Sequence, residues 1–228
     1  MDILQKTLLF VVQNMDQLAV RLVEHILLVT LIVGLALLVG IPLGIAINRN
    51  PKAAQVVLLS ARTMRNIPAI SLFAVLLPIL AKLDWVSGYW AAVITALLGS
   101  QLPIIRNTYT ALRSIDPALH EVAKGMGLSG RERLRLLEAP LAIPFIVAGV
   151  RRAAVLTIGV VAISAYIGVG GLGVIVREGI AAVDPPRLIV GALLLGVLAT
   201  MAHYSLLWVQ RRLTSVGLRR RAAEFGSL

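Results

Sequence analysis

The chain has 228 residues, 58% of them hydrophobic and only 14% charged, with mean hydropathy +0.89. Soluble domains run at about 45–50% apolar and about 25% charged, so this composition excludes an ordinary soluble globule and points to a bilayer. The absence of cysteine excludes disulfides, thiolate metal sites and a cysteine nucleophile, while saying little about compartment; the net charge of +11 is read from its distribution.

Residues 3–22 carry Lys6, Gln13, Asn14, Asp16, Gln17 and Arg21. That is too polar to cross a membrane, but its apolar positions recur at helical spacing and predict an amphipathic N-terminal helix over 1–22. No basic start with a small-residue cleavage site precedes it, so no removable signal peptide is expected. Spans of the roughly 20 apolar residues needed to cross hydrocarbon are predicted at about 24–47, 57–80, 88–112, 141–165 and 187–210. The fold class is therefore an all-α integral membrane protein of about five transmembrane helices plus the amphipathic helix. The membrane domain occupies 23–213 and a basic tail 214–228, whose last residues, EFGSL, read as a cloning remnant.

Two spans are atypical. The second carries Arg62, Arg65 and Asn66 before Pro68, and a broken inner end is expected there; the third carries Gln101, Pro103, Arg106 and Asn107. Irregular backbone inside a membrane is tolerated only where protein or a watery cavity satisfies its polar groups. These residues mark either a pathway or arginines that snorkel to the interface. Asn66, Phe73, Gln101, Tyr109 and Tyr166 are the candidate pathway-lining side chains. Trp85, Trp90 and Trp208 read as interfacial anchors. His25, His120 and His203 lack neighbouring carboxylates at ligand spacing and read as structural or interfacial.

With the N-terminus outside, 17 of the 22 Lys and Arg fall inside and 5 outside, whereas acids divide 5 to 6. The bias belongs to the positive charges alone, as the topology rule requires. The +11 is then an orientation signal, and nucleic acid is not an expected partner; Arg131, Arg133 and Arg135 read either as part of a docking surface or as a solvated face that meets anionic lipid headgroups.

Between the third and fourth spans lies DPALHEVAKGMGLSGRERLRLLEAP, residues 116–140. Asp116 followed by Pro117 is a helix start. Gly125, Gly127 and Gly130 stop that helix, and Ser129 with Glu132 forms a capping box for a second helix that is expected to end at Pro140. A charged, structured insert on the inner face suggests a docking surface for a soluble partner.

Glu121, Val122 and Ala123, with Gly127 six residues after the glutamate and then Leu137 and Pro140, resemble the E-A-A…G…I-x-L-P signature of ATP-binding cassette (ABC) importer permeases. Val122 stands where that signature has alanine and Ala139 where it has leucine. PIIRNTYTALRSID, KGMGLS, PLAIPFIVAGVRRA, YIGVGGLG and RRLTSVGLRR are similar to the osmoprotectant subfamily, which takes up glycine betaine, carnitine and choline, over residues 20 to 220. Methionine-type importers share the IGVGGLG stretch and stay open as an alternative cargo class.

The resemblance implies a type I importer permease core whose coupling helix, with Glu121, Val122, Ala123, Gly125, Gly127, Leu137 and Pro140, sits in a groove of a cytoplasmic ATPase dimer. It also implies delivery of solute by an extracytoplasmic binding protein. The chain has no G-x-x-x-x-G-K-[ST], so ATP and Mg are expected on the ATPase and no cofactor or catalytic residue on this chain. Five spans enclose a pathway poorly, so a second permease copy, identical or related, is expected across a two-fold axis. Small residues such as Gly34, Ala36, Gly40, Ala148, Gly149, Gly159, Gly191 and Gly196 allow close helix contact, between copies or within one chain. A secondary transporter is disfavoured by the lack of an inverted repeat, and a membrane enzyme by the lack of clustered acids, histidines or nucleophiles.

Overall fold

The computed structural model describes residues 2–83 and 87–214, and among these every regular element is helical. The basic tail and Trp85 lie outside the described residues.

The N-terminal region divides differently from the sequence reading. Helix α1 covers Ile3–Gln13, and α2 then runs unbroken over Met15–Ile47, so residues expected in the amphipathic helix form the opening turns of the first span. The break falls at Asn14, whose Nδ2 donates to the Phe10 carbonyl at 2.8 Å and whose backbone leaves the helical region (φ −121°). Asn and Asp side chains compete for backbone groups in this way, which is why they favour helix ends. Freed to turn, α1 packs Phe10 and Val11 against Leu172, Ile175 and Val190.

Helix α3 (Pro51–Asn66) starts on Asn50, whose side chain accepts from the N–H groups of Lys52 and Ala53. It ends at Ile67 in extended conformation, as proline disfavours helix in the residue before it. Helix α4 (Ala69–Ala81) leaves at 94° to α3, and the two together make one broken span. The expected break before Pro68 is therefore present.

Helix α5 (Ser87–Arg113) is the central span: 61% of its apolar window is buried, against 22% for α2 and 11% for the last span. A Cβ on Gly149 would lie 2.6 Å from the Pro103 carbonyl oxygen, and one on Gly44 2.6 Å from Thr108 Cβ. Glycine at these positions lets α5 approach its neighbours at backbone contact. Gly40 and Gly191 serve the same intrachain purpose, whereas Gly34, Gly159 and Gly196 have nothing within 4 Å of such a Cβ.

After α6 (Pro117–Gly125), the chain forms α7 (Gly130–Arg133), a π-helical turn (Leu134–Glu138) and α8 (Ala139–Ile163). The expected stop at Pro140 does not occur: residues Gly130–Ile167 form one continuous 38-residue helix. Pro140 lies inside this rod directly after the π turn Leu134–Glu138, whose widened register accommodates a residue with no N–H to donate. At 1.5 Å per residue that rod is roughly 57 Å long, about twice the hydrocarbon thickness, so it projects well beyond the membrane. A 3₁₀ turn (Ser164–Ile167), a glycine loop with Gly168, Gly170 and Gly171, α9 (Gly173–Ala181) and α10 (Pro185–Leu213) complete the fold. Among the described residues four helices are long and apolar enough to cross a membrane, and the bent pair counted as one span makes a fifth, as the sequence predicts.

Candidate functional site

The insert between the third and fourth spans is built from local signals. Asp116 accepts from the Ala118 N–H at 2.9 Å and starts α6. At its end the Leu128 N–H reaches the Ala123 carbonyl at 3.1 Å and the Gly127 N–H reaches Lys124 at 2.9 Å. That pair of bonds is a Schellman motif, and Gly127 supplies its left-handed residue at φ +77°. Gly125 remains inside α6. Ser129 and Glu132 then form the predicted capping box.

The faces of α6 divide sharply. Ala123 is 4% exposed and anchors the helix, while Leu119, Val122 (60%) and Met126 (72%) project outward with Glu121 beside them. Val122, the departure from the alanine of the signature, thus enlarges an outward apolar surface. Leu137 is half-buried and Pro140 exposed on the adjoining rod.

One residue that the sequence reading missed ties these parts together. Glu138, 8% exposed, accepts a hydrogen bond from Arg133 Nε at 2.9 Å and faces His120 Nδ1 of α6 at 3.5 Å. The short helix is thereby fastened to the transmembrane rod. A lone acid in an otherwise apolar LLEAPLAIP run was the available signal.

Two cavities adjoin the broken span. One, of about 230 Å³, lies at the α3–α4 break and is lined by Asn66, Thr95, Ser100 and Thr157. The Thr95 hydroxyl is buried there without a hydrogen-bond partner. The second, of about 350 Å³, is lined by Arg65, Arg106, Asn107, Arg151, Arg152 and His203, and shares Arg65 and Leu156 with the first. Asn107 also donates to the Phe145 carbonyl at 3.0 Å and bridges α5 to α8.

Of the five predicted lining residues, Asn66 is at the first cavity and the others line neither. Phe73 (1% exposed) is in the core with Leu80 and Ala91. Gln101 is buried against Gly40 of α2, and Tyr109 packs on the cluster of Ala54, Ala61 and Ile105. Tyr166 is exposed on the 3₁₀ turn, near the other end of α8. Alternation of apolar and polar residues on a long helix marks depth but not azimuth, and aromatic rings fill core gaps as readily as they line a path.

At that opposite end, the glycine loop makes a tight exit from the span, with Gly168 at φ +84° and Gly171 at φ +96°. Glu24 holds it: its Oε2 accepts from the Gly171 N–H at 2.8 Å and from Arg21 at 2.9 Å.

Residues 36–215 match the family described as binding-protein-dependent transport system inner membrane component. The chain belongs to this family. It is 41% identical to the osmoprotectant import permease protein OsmW of Salmonella typhimurium strain LT2, over 93% of this chain and 99% of that protein. It is 34% identical to the glycine betaine/carnitine/choline transport system permease protein OpuCB of Bacillus subtilis, over 92% and 94% of the two chains. Among solved structures it resembles the inward-facing MetNI methionine ABC transporter, with TM-score 0.78 and 24% identity over 89% of this chain and 99% of that one. That likeness gives the fold alone, and the family and the named relatives make the chain a multi-pass membrane permease of the ABC importer type. The two cavities lie beside the broken span, with polar side chains set among mostly apolar walls.

Proposed function

We propose that this chain is the translocating subunit of an ABC importer for osmoprotectants of the quaternary-amine class. A binding protein delivers the solute from outside, and a cytoplasmic ATPase dimer, which binds ATP and Mg, drives the cycle. The single observation that carries this reading is an outward-facing α6, ended by Gly127 in the left-handed conformation and fastened through Glu138 to the rod that becomes the fourth span. A rigid element joined to a spanning helix passes partner movement on as rigid-body motion. Glu121, Val122 and Met126 are the contact surface, and Ala123, Gly127, Leu137 and Pro140 keep its shape. The similarity to permeases named for glycine betaine, carnitine and choline supports the cargo class. The positive-charge bias supports an orientation with the N-terminus outside and α6 in the cytosol.

The chain works as a pair across a two-fold axis, since five spans enclose a pathway poorly. The test is co-purification with an ABC ATPase and the cognate binding protein, followed by ATPase assay in proteoliposomes. Glycine betaine, carnitine or choline on the binding protein raises hydrolysis several-fold; stimulation by methionine alone would transfer the reading to amino-acid import. Val122→Cys is labelled by a membrane-impermeant maleimide only from the cytosolic side, and labelling from outside would overturn the orientation.

A further inference from the structure

The larger cavity brings Arg65 of α3, Arg106 of α5, and Arg151 and Arg152 of α8 around one space of about 350 Å³, with His203 of α10 at its wall and aliphatic side chains between them. Guanidinium groups stay protonated at any physiological pH. None of the four makes a hydrogen bond or ion pair among the described residues. Three of the acids described on α6 and the rod are already committed: Asp116 caps α6, Glu132 closes the Ser129 capping box, and Glu138 holds Arg133. The fourth, Glu121, is exposed on α6 and makes no ion pair. Arg65, Arg106 and Arg152 are exposed along this cleft and Arg151 is half-buried, so water screens them in part, and gathering four like charges between apolar walls still makes the cleft positive.

The position of this charge is as informative as its sign. Arg65 and Leu156 line both this cavity and the smaller one at the α3–α4 break, where Asn66, Ser100 and the unpartnered Thr95 hydroxyl collect. The two cavities therefore adjoin, and a solute at the break lies beside the arginines. A guanidinium offers paired donors matched to the two oxygens of a carboxylate, whereas a bare cation meets only repulsion.

We propose that this cavity receives the carboxylate of a zwitterionic substrate, so that the permease passes solutes carrying a carboxylate beside their quaternary ammonium in preference to choline. The assignment rests on the quaternary-amine reading above and names the member of that class. The methyl groups of the ammonium lie toward the aliphatic walls, and the carboxylate lies among Arg65, Arg106, Arg151 and Arg152. A phospholipid phosphate shares this anion chemistry, and the experiment separates the two.

Ligand-observed NMR on the nucleotide-free permease–ATPase complex in phosphatidylcholine nanodiscs, without binding protein, reads binding to the permease itself. Glycine betaine should bind about tenfold more tightly than choline, the scale set by a few screened charge pairs. Arg106→Gln with Arg151→Gln should bring betaine down to the choline level, and Arg106→Lys with Arg151→Lys should retain most of the preference. Equal binding of betaine and choline by the unaltered complex, or betaine binding unchanged by the double glutamine variant, would overturn the proposal. It is also overturned if native mass spectrometry in phosphatidylglycerol discs finds that lipid retained through these arginines and not displaced by betaine. Should the loaded complex transport neither betaine nor choline, the quaternary-amine reading fails by itself. Methionine then reports on the cavity: its carboxylate binds the unaltered complex but not the glutamine variant if the anion site is real, and binds both equally if it is not.

Discussion

His120 on the short helix α6 and Glu138 at the root of the fourth span face each other at 3.5 Å, with Arg133 closing on the same carboxylate oxygen at 2.9 Å. Eighteen residues and a left-handed turn separate the pair along the chain, so the contact joins two elements that local structure alone would leave hinged. Arg133 lies five residues before Glu138, and the π turn between them sets their register. π turns inside α-helices recur at functional positions.

Glu138→Ala removes a buried acceptor and strands Arg133, at a cost of about 3 kcal/mol for breaking such a pair. Transport should fall about tenfold or more while ATPase activity persists, because the motor still docks but its movement no longer reaches α8. Glu138→Gln, which keeps the size and one acceptor, should retain intermediate transport. The ratio of solute moved to ATP hydrolysed in proteoliposomes checks this, and an unchanged ratio in the alanine variant would remove the latch from the mechanism.

Gly127 holds φ +77° with open space around it. A side chain there meets no neighbour, so the penalty is the backbone cost of about 1–2 kcal/mol for a left-handed L-residue. Gly127→Asn, the best tolerated in that region, should remain active. Gly127→Arg should insert normally yet lose solute-stimulated ATPase activity. Normal binding-protein-stimulated uptake by the arginine variant would count against the docking role.

Gly149→Val drives a side chain into the Pro103 carbonyl and Asn107 and should separate α5 from α8. Overpacking of this kind costs about 1–3 kcal/mol. A lowered melting temperature in detergent is expected, together with loss of the Asn107–Phe145 bond. Gly34→Ala, with nothing within 4 Å, is the control, and its melting temperature should stay within the scatter of the unaltered protein.

Glu24→Gln weakens the clamp on the glycine loop, since a neutral amide accepts from the Gly171 N–H and Arg21 less strongly than a carboxylate. Hydrogen bonds to charged groups contribute about 1.5–3 kcal/mol, so exchange of the Gly171 amide should speed up roughly tenfold or more. Mass-spectrometric hydrogen exchange over residues 164–175 measures it. Unaltered exchange would mean that the loop is held by its own backbone.

What the sequence determined by itself is what depends on neighbours in the chain. Apolar run lengths placed the five spans, Pro68 placed the break in the second, and Asp116 and Ser129 placed the helix starts around the insert. Glu121, Gly127 and the residues around them carried the family likeness, because the shape of α6 is encoded within a dozen residues. The tertiary structure decided what meets across distance. Nothing local pairs Glu138 with His120, aims Glu24 at Gly171 or brings arginines from three helices to one cavity. It also carried the helix through Pro140, where the preceding π turn accommodates a residue without an N–H, and turned Phe73, Gln101 and Tyr109 into packing. A helix of 3.6 residues per turn fixes the depth of each side chain, but only the partners it packs against fix the direction in which that side chain points.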